Sequence, residues 1–122
     1  MLIRYHIGAT VKPNRETAES RRRASEDDLF RAIVSLRDIE ECRRFFNDLC
    51  TPAELQALAD RWQVVGLLEQ RLPYRRIHEL TGVSVTTIGR VARYLAEGFG
   101  GYRLAVERVA RKQRRSKLRA SH

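Results

Sequence analysis

The chain has 122 residues, of which 43% are hydrophobic, and a formal net charge of +9 at neutral pH. A chain of this length forms one small domain, alone or with tails, and a compact core of this size can need a partner chain for completion. The positive charge attracts polyanions, so it favours nucleic acid or an acidic membrane surface over a small neutral substrate.

Secretory signals and membrane spans are not indicated. The apolar run at the start, MLIRYHIGATVKPN, is short and interrupted, and no later window approaches the roughly 18 apolar residues of a membrane span. We therefore expect a soluble cytoplasmic protein without a membrane partner. Cys42 and Cys50 have neither a Cys-x-x-Cys spacing nor a histidine cluster beside them, so we expect two buried free thiols and no metal site.

The first part of the chain is predicted to be an arm followed by helices. Residues 1–24 mix turn-forming residues with like charges and have no sustained apolar period, which predicts a basic, flexible N-terminal arm. Ordered structure is expected to begin at Ser25, a suitable helix N-cap that precedes three acids and an apolar period. A second helix is predicted from Asp38.

The stretch CTPAELQALADRWQVVGLLEQ contains the clearest helix start. Thr51 suits the N-cap, Pro52 suits the first helical position, and Glu54 completes a capping-box pattern. The helix should end near Glu69. Its apolar positions cover more of the circumference than one surface helix needs, which predicts a helix that is central in its domain or shared with another chain. Trp62 is assigned to the core of that helix packing.

The next stretch, YRRIHELTGVSVTTIGRVARYL, has the pattern of a helix-turn-helix at about residues 73–97. This motif needs a short helix, a tight turn with a positive φ angle, and a second helix with one free face. The residues that suit these needs are Pro73 at the first helix start, Ile77 and Leu80 facing inward, Gly82 in the turn, Val83 filling the corner, and Ser84 capping the second helix.

The second helix of this motif has two chemically different sides at about 100° per residue. The apolar side contains Ile88, Val91, Ala92 and Leu95, and the opposite side contains Thr86, Gly89, Arg90 and Arg93. Small residues allow a close approach to base edges, and arginines bind phosphates or a guanine. The sequence therefore predicts that this side faces a DNA major groove, although two helices joined by a glycine turn can also be an antiparallel corner with solvated arginines.

The end of the chain is predicted to be a weaker helix and a basic tail. Glycines in EGFGGY end the second helix, and apolar residues from Tyr102 to Val109 indicate a further helix. Residues 110–122 are predicted to be a basic C-terminal tail, which leaves a helical domain at residues 25–109. We hypothesise that the basic arm and tail bind the minor groove or flanking phosphates. With no repeat and no strand alternation, the chain is predicted to be all-α.

The sequence also bears on functional classes other than a protein that reads DNA with this helix. A nonspecific nucleic-acid-binding protein or a dimeric adaptor stays open as the alternative, since both tolerate a basic surface. An enzyme is not indicated, because His6, His78 and His122 are scattered and neither paired carboxylates in an apolar setting nor a glycine-rich phosphate loop occurs.

The block from Leu49 to Leu95 resembles the Trp repressor family, and more closely its YerC/YecD branch, which is found in bacteria. The residues that carry the resemblance are Thr51-Pro52, Ala57-Leu58, Arg61, Leu68, Arg75, Gly82, Thr87-Ile88 and Arg90. The resemblance implies an intertwined all-α homodimer whose recognition helices, residues 84–97 of each chain, enter major grooves of double-stranded DNA about 34 to 36 Å apart. It further implies a sequence-specific regulator, which we expect to be a repressor associated with the bacterial nucleoid.

The resemblance also assigns residues to the DNA surface. Arg75 and His78 would lie near phosphates, and Val85, Thr86 and Gly89 near bases. The other predicted DNA-binding residues are Arg76, Ser84, Arg90 and Arg93. Because the family often has a lysine in place of His78, this phosphate contact would depend on pH here.

An effector pocket is the last feature that the resemblance implies. In tryptophan-binding members the indole lies between two arginines, which align with Arg61 and Arg90, and threonines aligning with Thr51 and Thr87 line the same pocket. Arg61 could instead pair with Asp60, with Glu54 or with an acid of the other chain.

Two substitutions speak against tryptophan as the effector. Val91 and Tyr94 stand where those members have a glycine and a serine, so Tyr94 could fill the pocket itself. Added bulk in a packed site typically costs about 1 to 3 kcal/mol. We therefore expect a different small-molecule effector or none, and no cofactor.

Overall fold

A computed structural model describes residues 15–121, with side chains from Thr17 onward. The described residues form six α-helices and no strand, as the sequence predicted. The helices are α1 Arg15–Val34, α2 Ile39–Leu49, α3 Pro52–Glu69, α4 Tyr74–Thr81, α5 Val85–Glu97 and α6 Gly101–Ala120. The chain divides into two compact units, residues 1–46 and 47–122. No helix in the described range is long and apolar enough to cross a membrane.

Helix α1 begins at Arg15, so the prediction that ordered structure starts at Ser25 was wrong. The residues of the predicted arm before position 15 lie outside the described range. Side chains 18–28 are all exposed, and strong helix formers such as Glu, Ala and Arg explain the helix without an apolar face. Exposed pairs at helical spacing, Arg22–Glu26 at 4.0 Å and Arg31–Asp28 at 2.9 Å, add roughly 0.2 to 0.5 kcal/mol each.

Helix α2 begins where the sequence predicted, because the Asp38 carboxylate accepts a hydrogen bond from the Glu41 amide at 2.8 Å and so caps the first turn. The rings of Phe45 and Phe46 meet edge to face, with centroids 5.5 Å apart. Cys42, within α2, is free, as is Cys50 just after it, but both are only partly buried, so the prediction of two buried thiols is confirmed for their free state and wrong for their burial.

Hydrogen bonds fix both ends of α3, with side chains as the acceptors at its start and backbone carbonyls as the acceptors at its end. The Thr51 hydroxyl accepts from the Glu54 amide at 3.2 Å, and the Glu54 carboxylate accepts from the Thr51 amide at 2.8 Å. This confirms the predicted capping box. At the other end, the Leu72 amide donates to the Leu67 carbonyl, and Arg71 takes a left-handed φ of 60°. These are the features of a Schellman turn, which directs the chain back toward α4.

The core of the second unit is small and lies between α3, α4 and α5. Its fully or almost fully buried residues are Val64, Val65, Ile77, Val83, Ile88 and Val91. Leu67, Leu68, Leu72, Leu95, Tyr102 and Val106 pack against them. Helix α6 therefore joins this core through its first half only.

Two residues that were assigned to the interior are substantially exposed. Leu80 is 49% exposed and Trp62 is 41% exposed, so within this single chain both assignments were wrong. Leu58, one turn before Trp62 on α3, is also 41% exposed. Part of the apolar circumference of α3 is thus left uncovered by the described residues, which is the outcome that the sequence allowed for a helix shared with another chain.

Helix α6 continues without a break to Ala120. The sequence predicted a helix that dissolved into a tail after Val109, and that boundary was wrong. Every residue from Arg111 to Ser121 is exposed, and arginine, lysine and glutamine are good helix formers even where nothing is buried.

Candidate nucleic-acid interface

The turn between α4 and α5 has the geometry that the helix-turn-helix pattern predicted. Gly82 adopts φ 74°, in the left-handed region, and its amide donates to the His78 carbonyl at 2.8 Å. A residue with a side chain is strained at this φ, which explains the glycine. The Thr81 hydroxyl donates to the Ile77 carbonyl at 2.7 Å and accepts from the Val83 amide at 3.0 Å. These hydrogen bonds hold the backbone in place both before and after Gly82.

Ser84 fixes the start of α5. Its hydroxyl oxygen accepts from the Thr87 amide at 3.1 Å and its proton is donated to the Thr87 hydroxyl at 3.0 Å. Val83, only 8% exposed, fills the corner beneath the turn. Ile88 and Val91 are buried on the inner side of α5. These contacts set which side of α5 is left free.

The free side of α5 carries the residues that the sequence selected for it. Val85 is 53% exposed, Thr86 is exposed, and Gly89 is partly exposed. No atom outside the local helix lies within 4 Å of the position that a Cβ at Gly89 would occupy. The space above Gly89 is therefore open, and another molecule can approach the helix backbone there.

Two arginines follow on the same side of α5. Arg90 and Arg93 are exposed, and neither forms an ion pair with any residue in the described part of the chain. The Arg90 guanidinium lies over the Tyr94 ring, 5.4 Å from its centroid. A cation–π contact of this kind holds the guanidinium without neutralising its charge. The free side of α5 thus carries small residues near its N-terminus and arginines after them, as predicted.

The predicted phosphate-binding residues of α4 already share an acid. The side chains of Arg75 and Arg76 lie 3.7 Å and 3.4 Å from the two carboxylate oxygens of Glu79. Exposed pairs such as these are weak, with a median of about 0 to 1 kcal/mol. The arginines remain available to a stronger anion, but Glu79 lowers the positive potential of this surface.

His78 is oriented by the turn. Its Nδ1 lies 2.7 Å from the Val83 carbonyl oxygen. Since a carbonyl only accepts, Nδ1 carries the proton. With Nδ1 as the donor to Val83, the neutral ring presents Nε2 as an acceptor on its other side.

A cavity of about 600 Å³ opens between α3, α5 and the start of α6. Its lining residues are Arg61, Thr87, Arg90, Val91, Tyr94, Phe99, Gly101 and Tyr102. Four of the five predicted pocket residues are therefore brought together, and the Tyr94 ring does not fill the space. Arg61 forms no ion pair within the described residues. The alternative in which it pairs with Asp60 or Glu54 is therefore not seen there, and the alternative of an acid of the other chain is untested.

Thr51 is the predicted pocket residue that does not line the cavity. It caps α3, and its amide and hydroxyl form hydrogen bonds with Glu54. The sequence interpretation missed Phe99 and Tyr102. Phe99 is fully exposed, between two glycines. The stretch EGFGGY places two aromatic residues among glycines, outside any apolar period that would assign them to the core. That pattern is the signal that could have identified this part of the cavity lining.

Carboxylates, histidines and cysteines do not gather into a metal-binding group anywhere in the described part of the chain. The side chains that the structure does gather are arginines, threonines and aromatic rings. These groups suit anions and flat aromatic molecules.

Comparison with known proteins places this geometry in one family. The model of the Trp repressor protein family matches residues 24–110. The uncharacterised protein YerC of Bacillus subtilis is 48% identical over 83 residues, which are 68% of this chain and 80% of YerC.

Two solved structures have the same fold. A TrpR-like protein from Eubacterium eligens, 40% identical, aligns with a TM-score of 0.69 over 71% of this chain and 90% of that chain. A candidate Trp repressor from Staphylococcus aureus, 41% identical, aligns with a TM-score of 0.70 over 75% and 92%. The matched family domain ends within α6, so residues 111–122 lie beyond it.

Proposed function

The chain belongs to the Trp repressor family, a family of DNA-binding regulators, and we propose that it is a sequence-specific transcriptional repressor that reads its operator with α5. The observation that carries this proposal is the free side of α5, where Thr86 and an uncovered Gly89 precede Arg90 and Arg93, which form no ion pair with any described residue. Small residues allow base edges to come close, and the arginines supply phosphate or guanine contacts.

In this proposal the two helices of the helix-turn-helix contact different parts of the DNA. Helix α5 enters the major groove and contacts bases through Val85, Thr86 and Gly89. The Ser84 end of α5, Arg90 and Arg93 lie along the groove edge, and α4 meets the phosphates through Arg75, Arg76 and His78. A helix whose N-terminus points at DNA adds its own positive end to these contacts.

The proposed working form is a homodimer bound to double-stranded DNA. The uncovered Leu58 and Trp62 on α3 support this, because a small core with a large exposed apolar face is stabilised by a second chain. Twofold symmetry would present two α5 helices to a near-palindromic site, with centres about 34 to 36 Å apart.

We further propose that tryptophan is not the effector. The cavity wall contains Val91, which is buried, and Tyr94, which is held under Arg90. The cavity keeps a volume that suits a small molecule, and its two guanidinium groups favour an anionic one. In this proposal free tryptophan leaves DNA affinity unchanged.

The experiment that tests the proposal is a selection on genomic fragments. The purified protein is mixed with fragmented DNA that includes its own upstream region, at about 150 mM salt, and the retained fragments are sequenced. Enrichment of a short near-palindrome is the expected result. Uniform retention, falling steeply between about 50 and 200 mM salt, would favour the nonspecific binder, and no retention would favour the adaptor.

A further inference from the structure

One side of the second half of α6 carries a row of cations. Arg108, Lys112, Arg115 and Arg119 follow one another at intervals of four, three and four residues. At about 100° per residue they fall within about 60° of one another around the helix axis. We name these four residues the α6 cation stripe. They are all exposed, and they extend over about 16 Å of helix.

The stripe is attached to the unit that contains the helix-turn-helix and extends past its core. Tyr102 and Val106 pack against that core, which fixes the first half of α6. The ten residues from Arg111 to Ala120 continue the same helix, fully exposed, for about 15 Å more. They also lie beyond the matched family domain, so this extension is a feature that the family match does not explain.

The stripe has a charge pattern that weakens the helix in the absence of an anion. Arg108 and Lys112 repel each other at a spacing of four, as do Arg115 and Arg119. No Asp or Glu follows Arg108 in the sequence. Within the described residues the stripe makes no ion pair, whereas its neighbour Arg111 pairs with Glu107. A polyanion would remove this repulsion.

Helix-end electrostatics does not explain the stripe. Cations are favoured in the last turn of a helix by its dipole, and this effect is lost within one turn. Of the stripe residues only Arg119 lies in the last turn. Arg108, Lys112 and Arg115 need another reason to share one side of the helix.

We propose that the α6 cation stripe binds the phosphate backbone of DNA, as a second contact outside the helix-turn-helix. The proposal rests on the proposed function, because DNA is the polyanion that α5 of the same unit is proposed to bind. Phosphate contacts add affinity and fix register without reading bases. The stripe therefore strengthens binding equally on all sequences and increases its salt dependence.

The test compares two triple variants of the full chain. The stripe variant carries Lys112→Gln, Arg115→Gln and Arg119→Gln. The matched control carries Arg103→Gln, Arg114→Gln and Lys117→Gln, which remove the same charge from the opposite side of α6. Glutamine has a helix propensity close to that of lysine and arginine, and circular dichroism checks that both variants keep the helicity of the unmodified protein.

The measured quantity is the slope of log affinity against log salt between about 50 and 200 mM, on the selected duplex and on a scrambled duplex. We expect the stripe variant to lose about three units of slope per protomer on both duplexes, one for each phosphate contact removed. The ratio of the two affinities stays that of the unmodified protein. The control variant keeps most of the original slope.

Equal salt slopes for the two triple variants would overturn the proposal that the α6 cation stripe binds DNA. If the unmodified protein still preferred the selected duplex, the proposed function would remain in place. A reduced slope in the stripe variant alone, without any preference for the selected duplex, would support the stripe and contradict the proposed function. An unmodified protein that binds neither duplex would overturn both.

Discussion

Glu79 controls the charge of the α4 surface, because its carboxylate faces both Arg75 and Arg76. Where arginines bind DNA phosphates, a neighbouring carboxylate competes with the DNA for their guanidinium groups. Substitution Glu79→Gln releases the two guanidinium groups and removes one negative charge near the phosphates. We expect DNA affinity to rise about fivefold, which corresponds to about 1 kcal/mol, the upper range for an exposed pair.

This prediction is checked by fluorescence anisotropy at about 150 mM salt, with Glu69→Gln as the control. Glu69 is an exposed acid at the end of α3, so its substitution makes the same change in net charge away from α4. If the two variants bind DNA equally well, the account of Glu79 is wrong.

Gly89 offers a change in which stability and DNA binding move in opposite directions. Alanine meets no atom outside the local helix, and it favours a helix interior by roughly 0.5 to 1 kcal/mol over glycine. Gly89→Ala should therefore raise the free energy of unfolding in urea. The added methyl group would obstruct base edges, and we expect a loss of about 1 to 3 kcal/mol in binding the selected duplex. Tighter binding by the more stable variant would contradict this role.

Residue types predicted the conformation of the turn between α4 and α5 well, but they predicted the burial of individual side chains less well. The roles of Gly82, Val83 and Ser84 in the turn depend on properties of each residue type alone. The structure confirms the three predicted roles. Leu80 and Trp62 were assigned to the interior from helical spacing, yet burial depends on what packs against the helix. Spacing alone does not give that information.

At the scale of elements, α3 is the helix with the strongest local start signal, and its cap makes a testable contribution to stability. Thr51→Ala removes the hydroxyl that accepts the Glu54 amide. We expect the free energy of unfolding to fall by about 1 kcal/mol, measured by urea denaturation at neutral pH. The same substitution at the exposed Thr86, which makes no capping bond, is the control. Equal stability of the unmodified protein and Thr51→Ala would contradict the cap.

The other half of the capping box predicts a response to acid. Hydrogen bonds from the Thr51 amide and hydroxyl hold the pKa of the Glu54 carboxyl below its ordinary value. A lowered folded-state pKa means that the ionised form stabilises the fold above the unfolded-state pKa, and that this contribution is lost as pH falls through the folded-state pKa. Glu54→Gln should therefore narrow the stability difference between neutral and acidic pH. An unchanged difference would contradict the assignment.

Helix boundaries were predictable where a cap or a glycine marks them. Thr51 and Pro52 mark the start of α3, and Gly98 follows the end of α5. The start of α1 and the end of α6 were missed because these segments are exposed helices of strong helix formers, with no apolar period to reveal them. The cavity wall at Phe99 was missed for a similar reason, since an exposed aromatic has no period.

At the scale of the whole molecule, the single chain leaves a helix face that we expect a second copy to cover. Leu58 and Trp62 are each 41% exposed on α3. Sedimentation should give twice the chain mass of 14.2 kDa. Leu58→Glu should shift the protein to monomer or unfold it, because it places a charge in an apolar interface. Leu118→Glu on the exposed end of α6 should leave the dimer intact. A monomeric unmodified protein would contradict the dimer.

If α5 distinguishes one DNA sequence from another, the ratio of the affinities for two duplexes shows it. The affinity for the selected duplex is divided by that for a scrambled duplex of equal length, at about 150 mM salt, for the unmodified protein and for Thr86→Ala. We expect a ratio well above one for the unmodified protein. It should fall roughly five- to hundredfold in the variant, as for the loss of one base contact, while affinity for the scrambled duplex is unchanged. A ratio of one in the unmodified protein, or a ratio that Thr86→Ala does not alter, would contradict this role of α5.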